Sequence, residues 1–376
     1  MKNILITGAN GFIGKNLICK LNEKNRYEVI SFTTKNNIEE LSSYVRQTDF
    51  IIHLAGVNRT NQSEDYYKGN IDLINEIVEL LKKHKKNVPI LMTSSIQVEL
   101  DNDYGKSKLM AEKILTQYHK ETNAPIYLYR LPNVFGKWGK PNYNSVIATL
   151  CYNTSRNLET KIFNKDTELN LVYIDEVVNE FIEKLESDPK ADSIYHSIPI
   201  IFKKKLTEIV SLINEFKSMR ETLLIPDLSD GFTKRLYATY LSYLDEQNFA
   251  YPLEQKKDHR GWLAEIVKSA AFGQMFVSKT AKGIIRGNHY HHTKVEKFLV
   301  IQGEAIIRFR NINEKSIIEI KVSGNDPKMV DIPPGYTHSI ENTGNVELIT
   351  LFWANEIFDQ ENQDTYFDEV NTFCTS

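Results

Sequence analysis

Tyr104 and Lys108 stand four residues apart in Tyr104-Gly105-Lys106-Ser107-Lys108, a spacing that puts both on one face of a helix. An ammonium beside a phenol lowers the phenol's pKa, so the hydroxyl can donate a proton to a carbonyl oxygen. Thr93-Ser94-Ser95, just upstream, supplies hydroxyls able to polarise the same oxygen. A second constellation comprises His289, His291, Glu296 and His338. On a strand, a His-x-His pair points both imidazoles to one face, because side chains alternate with period two. Glu296 on a neighbouring strand and His338 from a distant one would close a shell of three histidines and one carboxylate. That set suits zinc, nickel, manganese or ferrous iron, with zinc the expected ion. Alternation puts His292 on the opposite face.

The elements that must hold these groups differ between the two halves. Up to about residue 240, short β-branched runs at 3–7, 27–31, 50–54 and 89–92 alternate with amphipathic stretches such as 71–83. That alternation predicts a parallel sheet covered on both faces. Gly8, Gly11 and Gly14 follow the first run and open a helix. Glycine there permits a tight turn and lets backbone amides approach a pyrophosphate at the helix N-terminus. The second run ends at Thr33-Thr34-Lys35, where a carboxylate would grip a ribose 2′-hydroxyl. Hydroxyls and a cation favour a 2′-phosphate instead, so the expected cofactor is NADPH.

After about residue 245, short runs recur at 297–301, 305–310, 317–322, 328–332 and 347–353, separated by turn residues such as Pro333-Pro334-Gly335. This predicts an antiparallel sandwich or barrel. The fold expected is therefore α/β plus all-β, with domains at 1–245 and 246–376. The segment 235–252, rich in Tyr and Leu and poor in Gly, Ser and Pro, reads as an ordered connector.

Composition removes several classes. Among the 376 residues, 46 Lys and Arg against 49 Asp and Glu leave a net charge of −3, which does not suggest nucleic acid or an anionic membrane as partner. Cys19, Cys151 and Cys374 are scattered and odd in number, fitting a reducing cytoplasm. No apolar run approaches the roughly 20 residues of a spanning helix, and the chain enters its first strand without a signal-peptide layout.

The first half resembles the extended short-chain dehydrogenase/reductase family of nucleotide-sugar type. The matching segments are TGANGFIG (7–14), DFIIHLAG (49–56), SSIQ (94–97), YGKSK (104–108), RLPNVFG (130–136) and VYIDEV (172–177). The resemblance implies a Rossmann-type fold with Ser95, Tyr104 and Lys108 as the catalytic trio. It places Gly8, Asn10, Gly11, Phe12, Ile13, Gly14, Leu54, Ala55 and Gly56 against the cofactor, and Asn133 toward a sugar nucleotide. One departure leaves the choice between Ser94 and Ser95 open: Ser95 and Tyr104 are only nine positions apart.

The second half resembles the cupins, whose two histidine motifs it carries. Residues 258–265, 285–289 and 332–338 are also similar to nucleotide-diphospho-4-keto-sugar 3,5-epimerases, which use a jelly-roll without a metal. That second resemblance implies His289 as general base and Arg260 as a nucleotide contact, so His289 has two candidate roles, ligand or base. Over its whole length the chain resembles bifunctional enzymes of bacterial capsule and O-antigen synthesis. The implied substrate is a UDP-activated 4-keto amino sugar, epimerised at C3 and reduced at C4 to UDP-2-acetamido-2,6-dideoxy-β-L-talose. A homodimer is the default expectation for a cupin.

Overall fold

The computed structural model describes residues 1–159, 167–188 and 193–371; Cys374 lies outside them. The chain divides into two compact units. One comprises Met1–Asn214 and Arg235–Asp245, the other Glu215–Lys234 and Glu246–Ser376. Residues 215–234, expected in the first domain, therefore belong to the second unit. The reason is local: the Lys268 N–H donates to the Leu223 carbonyl and the Ile225 N–H to the Lys268 carbonyl, at 2.7 and 2.8 Å. These bonds tie the segment to the strand Gly261–Ser269.

The first unit is built on six parallel strands. In spatial order they are Tyr27–Phe32, Lys2–Thr7, Phe50–His53, Ile90–Ser95, Ile126–Leu131 and Tyr195–His196. Strands buried on both faces read as continuous apolar runs, and Phe50–His53 and Ile90–Ser95 are buried at every position. Ile4, Ile6, Ile52, Leu91 and Tyr129 pack on one face with the helices Phe12–Glu23 and Ile174–Glu186. Leu5, Ile51, Met92 and Leu128 pack on the other with Leu73–Lys83 and Asp103–Thr122. The sheet is thus doubly wound. Its strand order reverses between Lys2–Thr7 and Phe50–His53, the kind of crevice where open α/β sheets bind ligands. A second sheet of three strands, Asn133–Phe135, Glu168–Tyr173 and Phe202–Lys205, accompanies it.

The second unit is two antiparallel sheets, of six and five strands, packed as a jelly-roll. Each of the five runs expected from sequence is a strand, with each end within one residue of its expected place: Glu296–Gln302, Glu304–Asn311, Ile317–Ser323, Met329–Ile332 and Leu348–Ala354. Alternation supplies the core: Phe298 and Val300 from one sheet meet Ile307, Phe309 and Ile340 from the other. The α/β plus all-β reading, Rossmann-type followed by cupin, holds. Among the described residues no helix is long and apolar enough to cross a membrane.

Candidate functional site

In the first unit the site begins at the strand ends flanking the crevice. Gly8 has φ +67°, and a Cβ on it would lie 2.6 Å from the Ala55 nitrogen. Only glycine lets these two chain segments touch. Thr7 locks them together: its hydroxyl accepts from the Ala55 N–H at 3.3 Å and meets His53 Nδ1 at 2.9 Å. Burial, reinforced by the Lys108 charge, lowers His53 to about 3. It is therefore neutral, and shares one hydrogen bond with the Thr7 hydroxyl. The helix Phe12–Glu23 that follows has no side-chain cap and no acidic residue in its first turn, leaving its positive end to an anion. Thr33, at the end of the second strand, bonds Asn36 through both its N–H and its hydroxyl, and Lys35 is exposed.

The helix Asp103–Thr122 brings Tyr104 and Lys108 to the crevice. The Lys108 side chain is buried, donates to the Thr93 carbonyl at 3.1 Å, and lies against Gly56. Burial lowers its ammonium to about 8, against the opposing charge of Glu112. The expectation that Tyr104 is lowered is not met. Desolvation raises its phenol, a hydrogen bond to Ser95 pulls downward, and Tyr66 pushes upward again. Tyr104 also donates to Asn58 Oδ1 at 3.2 Å.

The two serines are distinguished by their partners. Ser94 donates to the buried Glu112 at 2.5 Å, and Glu112 also accepts from Arg130 Nε and Nη2 at 3.0 and 2.7 Å. Ser94 is consumed by this buried network, whereas Ser95 faces Tyr104. The short link between serine and tyrosine is a 3-10 turn, Ile96–Glu99, packed directly on the helix. A Cβ at Gly105 would lie 2.0 Å from the Gln97 carbonyl oxygen, so the glycine beside Tyr104 makes that short link possible.

Sequence reasoning missed Asn70. It sits in a π-turn, Lys68–Asp72, just before the helix expected at 71–83. Its side chain accepts from the Val57 N–H and donates to the Val57 carbonyl and to Ser107, at 3.0–3.1 Å. It thereby fixes the loop after Gly56 to the helix that carries Tyr104 and Lys108. Single π-turns frequently mark functional sites, but a lone Asn in a polar stretch carries no period by which to find it. Asn133 is exposed, its amide near the Asn170 carbonyl at 3.4 Å.

In the second unit, His289, His291, Glu296 and His338 converge with their ligand atoms within 4.8 Å of one another. Glu296 comes from the six-stranded sheet, His289 and His338 from the five-stranded one. A β-bulge between Gly287 and His289 sets His289 directly opposite His338, and bulges re-aim side chains in this way. Asn288, with φ +60°, takes up the extra residue. His291 Nε2 and His338 Nε2 are buried with no hydrogen-bond partner among the described residues, at 3.4 and 3.6 Å from Glu296 Oε2. Two ligand atoms each about 2.1 Å from a shared tetrahedral centre stand about 3.4 Å apart. The donor set and its unpaired nitrogens thus fit a divalent cation. Burial opposes ionisation of Glu296, yet the His291 and His338 imidazoles facing it hold its carboxyl below the usual carboxylate range. His289 is half-buried, and burial with the His338 charge lowers it to about 3. Arg260 stands apart from this cluster's partners, paired with Asp258 through Nε at 2.9 Å and Nη2 at 2.5 Å. Arg286 is close enough to feel both charges, although burial is what chiefly lowers it.

Residues 4–195 match the NAD dependent epimerase/dehydratase family, and residues 256–366 match the polysaccharide biosynthesis C-terminal domain. The chain is 41% identical over 363 residues to the UDP-2-acetamido-2,6-beta-L-arabino-hexul-4-ose reductase of Pseudomonas aeruginosa, covering 96% of this chain and 97% of the relative. It is 45% identical to the crystal structure of the capsular polysaccharide assembling protein CapF from Staphylococcus aureus, at a TM-score of 0.92 over 98% of this chain and 100% of that one. The UDP-glucuronic acid 4-epimerase of Bacillus cereus, at 20% identity and a TM-score of 0.52 over 57% of this chain and 84% of that one, shares the fold. The glycine crevice, the serine–tyrosine–lysine arrangement and these matches together place the chain in the NAD dependent epimerase/dehydratase family.

Proposed function

We propose that the chain reduces the C4 ketone of a UDP-2-acetamido-2,6-dideoxy-L-hexos-4-ulose with NADPH, after its cupin has epimerised C3. The observation that carries the reductase part of this reading is the end-to-end likeness to the Pseudomonas reductase, which spans both units; the epimerase part rests on the histidine cluster alone. When bound, the nicotinamide supplies a hydride to C4. Tyr104 gives its phenolic proton to the ketone oxygen, which Ser95 polarises by a hydrogen bond. Lys108, charged below about pH 8, stabilises the phenolate left behind. Thr33 and Lys35, with no carboxylate beside them at the strand end, support the choice of NADPH over NADH.

In the second unit His291, Glu296 and His338 hold a divalent cation, with zinc the expected ion. A cation there supplies positive charge beside a carbonyl oxygen. His289 is the most open member and has no contact to Glu296 within ion-pair distance, which supports it as the base that removes the C3 proton. Arg260 is a nucleotide contact. His289→Ala that keeps its zinc but loses C3 exchange supports this division, and loss of zinc on that substitution makes His289 a fourth ligand instead. The overall reading is tested by incubating protein with NADPH or NADH and the 4-keto sugar, following cofactor oxidation and the C3 and C4 configurations by NMR. A second reading keeps the reductase and makes the cupin site structural; the Pseudomonas relative is named for a reductase alone. Product configuration unchanged in His289→Ala would favour it.

A further inference from the structure

Residues 364–370 run along the strands that carry the histidine cluster. Tyr366 and Phe367 pair with Tyr290 and His289. The Asp368 N–H donates to the Asn288 carbonyl at 2.9 Å, and the Thr337 hydroxyl donates to the Asp368 carbonyl at 2.6 Å. Arg310, 3% exposed, binds the Asp368 carboxylate at 2.6 Å and the Glu369 and Val370 carbonyls at 3.1 and 3.0 Å. This short strap therefore grips the bulge that aims His289 and the strand that carries His338.

Its first residue bonds a member of the cluster directly. The Asp364 backbone carbonyl accepts from His291 Nδ1 at 2.5 Å. Its carboxylate accepts from the N–H groups of His292, Thr293 and Lys294 at 2.9, 2.7 and 2.8 Å, and from the Thr293 hydroxyl at 2.8 Å. One residue thus fixes the loop after His291 with its side chain and the imidazole with its main chain. A donor bond at Nδ1 leaves Nε2 as the lone pair, and Nε2 is the buried, unpaired nitrogen facing Glu296. Outer partners of this kind set the tautomer and aim of a ligating histidine.

We propose that Asp364 is a positioning residue for the cation site: its carboxylate holds the 292–294 loop so that its carbonyl presents His291 Nε2 to the cluster. The inference rests on the cation reading above. Asp364→Ala leaves the carbonyl in the chain but removes its anchor, so zinc should dissociate about 10- to 100-fold more readily. Asp364→Asn keeps one acceptor oxygen and should show a smaller loss, still above threefold.

The test is zinc affinity of the full chain by competition with a chromophoric chelator, beside 15N NMR of the zinc-free histidines. The His291 ring should be the Nδ1–H tautomer in the parent and a mixture in the variants. A variant that only loosened the fold would shift the thermal midpoint without changing that tautomer. If Asp364→Ala does not fold, Asp364→Asn decides. Variants that bind zinc within threefold of the parent overturn the inference while leaving the cation reading intact. A parent chain that takes up no zinc overturns both.

Discussion

The two sites differ in how their polar groups are satisfied. Around Tyr104 the donors and acceptors already have protein partners: the phenol bonds Ser95 and Asn58, Lys108 bonds Thr93, and Ser94 is absorbed by Glu112. Around His338 two buried ring nitrogens have none. Leaving such groups unpaired costs about 1–3 kcal/mol each, a cost a fold carries where a ligand offsets it. Under the proposed function this difference divides the work: the first arrangement suits holding and passing a proton, the second suits taking an ion. Architecture follows: one site sits at the end of a parallel sheet, the other between two sheets, with His338 brought in from far along the chain to meet His289, His291 and Glu296.

The contrast can be broken most severely at Tyr104. Tyr104→Phe removes the proton donor, and kcat for reduction should fall by about 10²- to 10⁴-fold, read by NADPH oxidation. Ser95→Ala should cost about 10²- to 10³-fold, the size of a lost donor to a developing oxyanion. Ser94→Ala should change kcat by less than about fivefold, but removes a hydrogen bond to a buried carboxylate, worth about 1.5–3 kcal/mol in denaturant unfolding. Equal kinetic effects at the two serines would contradict the assignment.

Arg130→Ala sharpens the same division from the structural side. It leaves Glu112 buried with the Ser94 and Tyr195 hydroxyls still bonded to it, and unfolding free energy should drop by about 1–3 kcal/mol; an unchanged unfolding free energy argues against the network. The smallest effect concerns pH. Lys108 is lowered, so its ammonium is present below about pH 8 and is lost as pH rises through that value. kcat/KM for reduction should fall along that limb. In Lys108→Arg, whose guanidinium stays charged beyond about pH 12, the limb should disappear even where the rate is lower. A parent profile flat to about pH 10 would contradict the role given to Lys108.

The same contrast explains what could be read from the chain. The parallel sheet, the glycine loop and the Tyr104–Lys108 pair are local in sequence, and the histidine ligands declare themselves by residue type. What escaped reading was tertiary. Period two was expected to place His289 and His291 together, but the strand ends at Tyr290, before His291, and the bulge at Gly287–Asn288 that sets His289 opposite His338 leaves no periodic trace. Ser94 and Ser95 look alike until Glu112, eighteen residues on, claims one of them. Tyr104 was expected to be lowered by its lysine, yet burial dominates and raises it. Asn70 and Asp364 act through backbone groups of distant loops, which no spacing rule encodes. Residues 215–234 joined the second unit through two backbone bonds to Lys268, equally silent in side-chain pattern.

The central claim is that two separate chemistries act on one ketone. It is tested most directly by incubating Tyr104→Phe with NADPH and the 4-keto sugar in deuterated water, and reading C3 and C4 by NMR. Deuterium should enter at C3 while NADPH stays unoxidised and C4 remains a ketone. A sugar recovered without deuterium at C3 would contradict it.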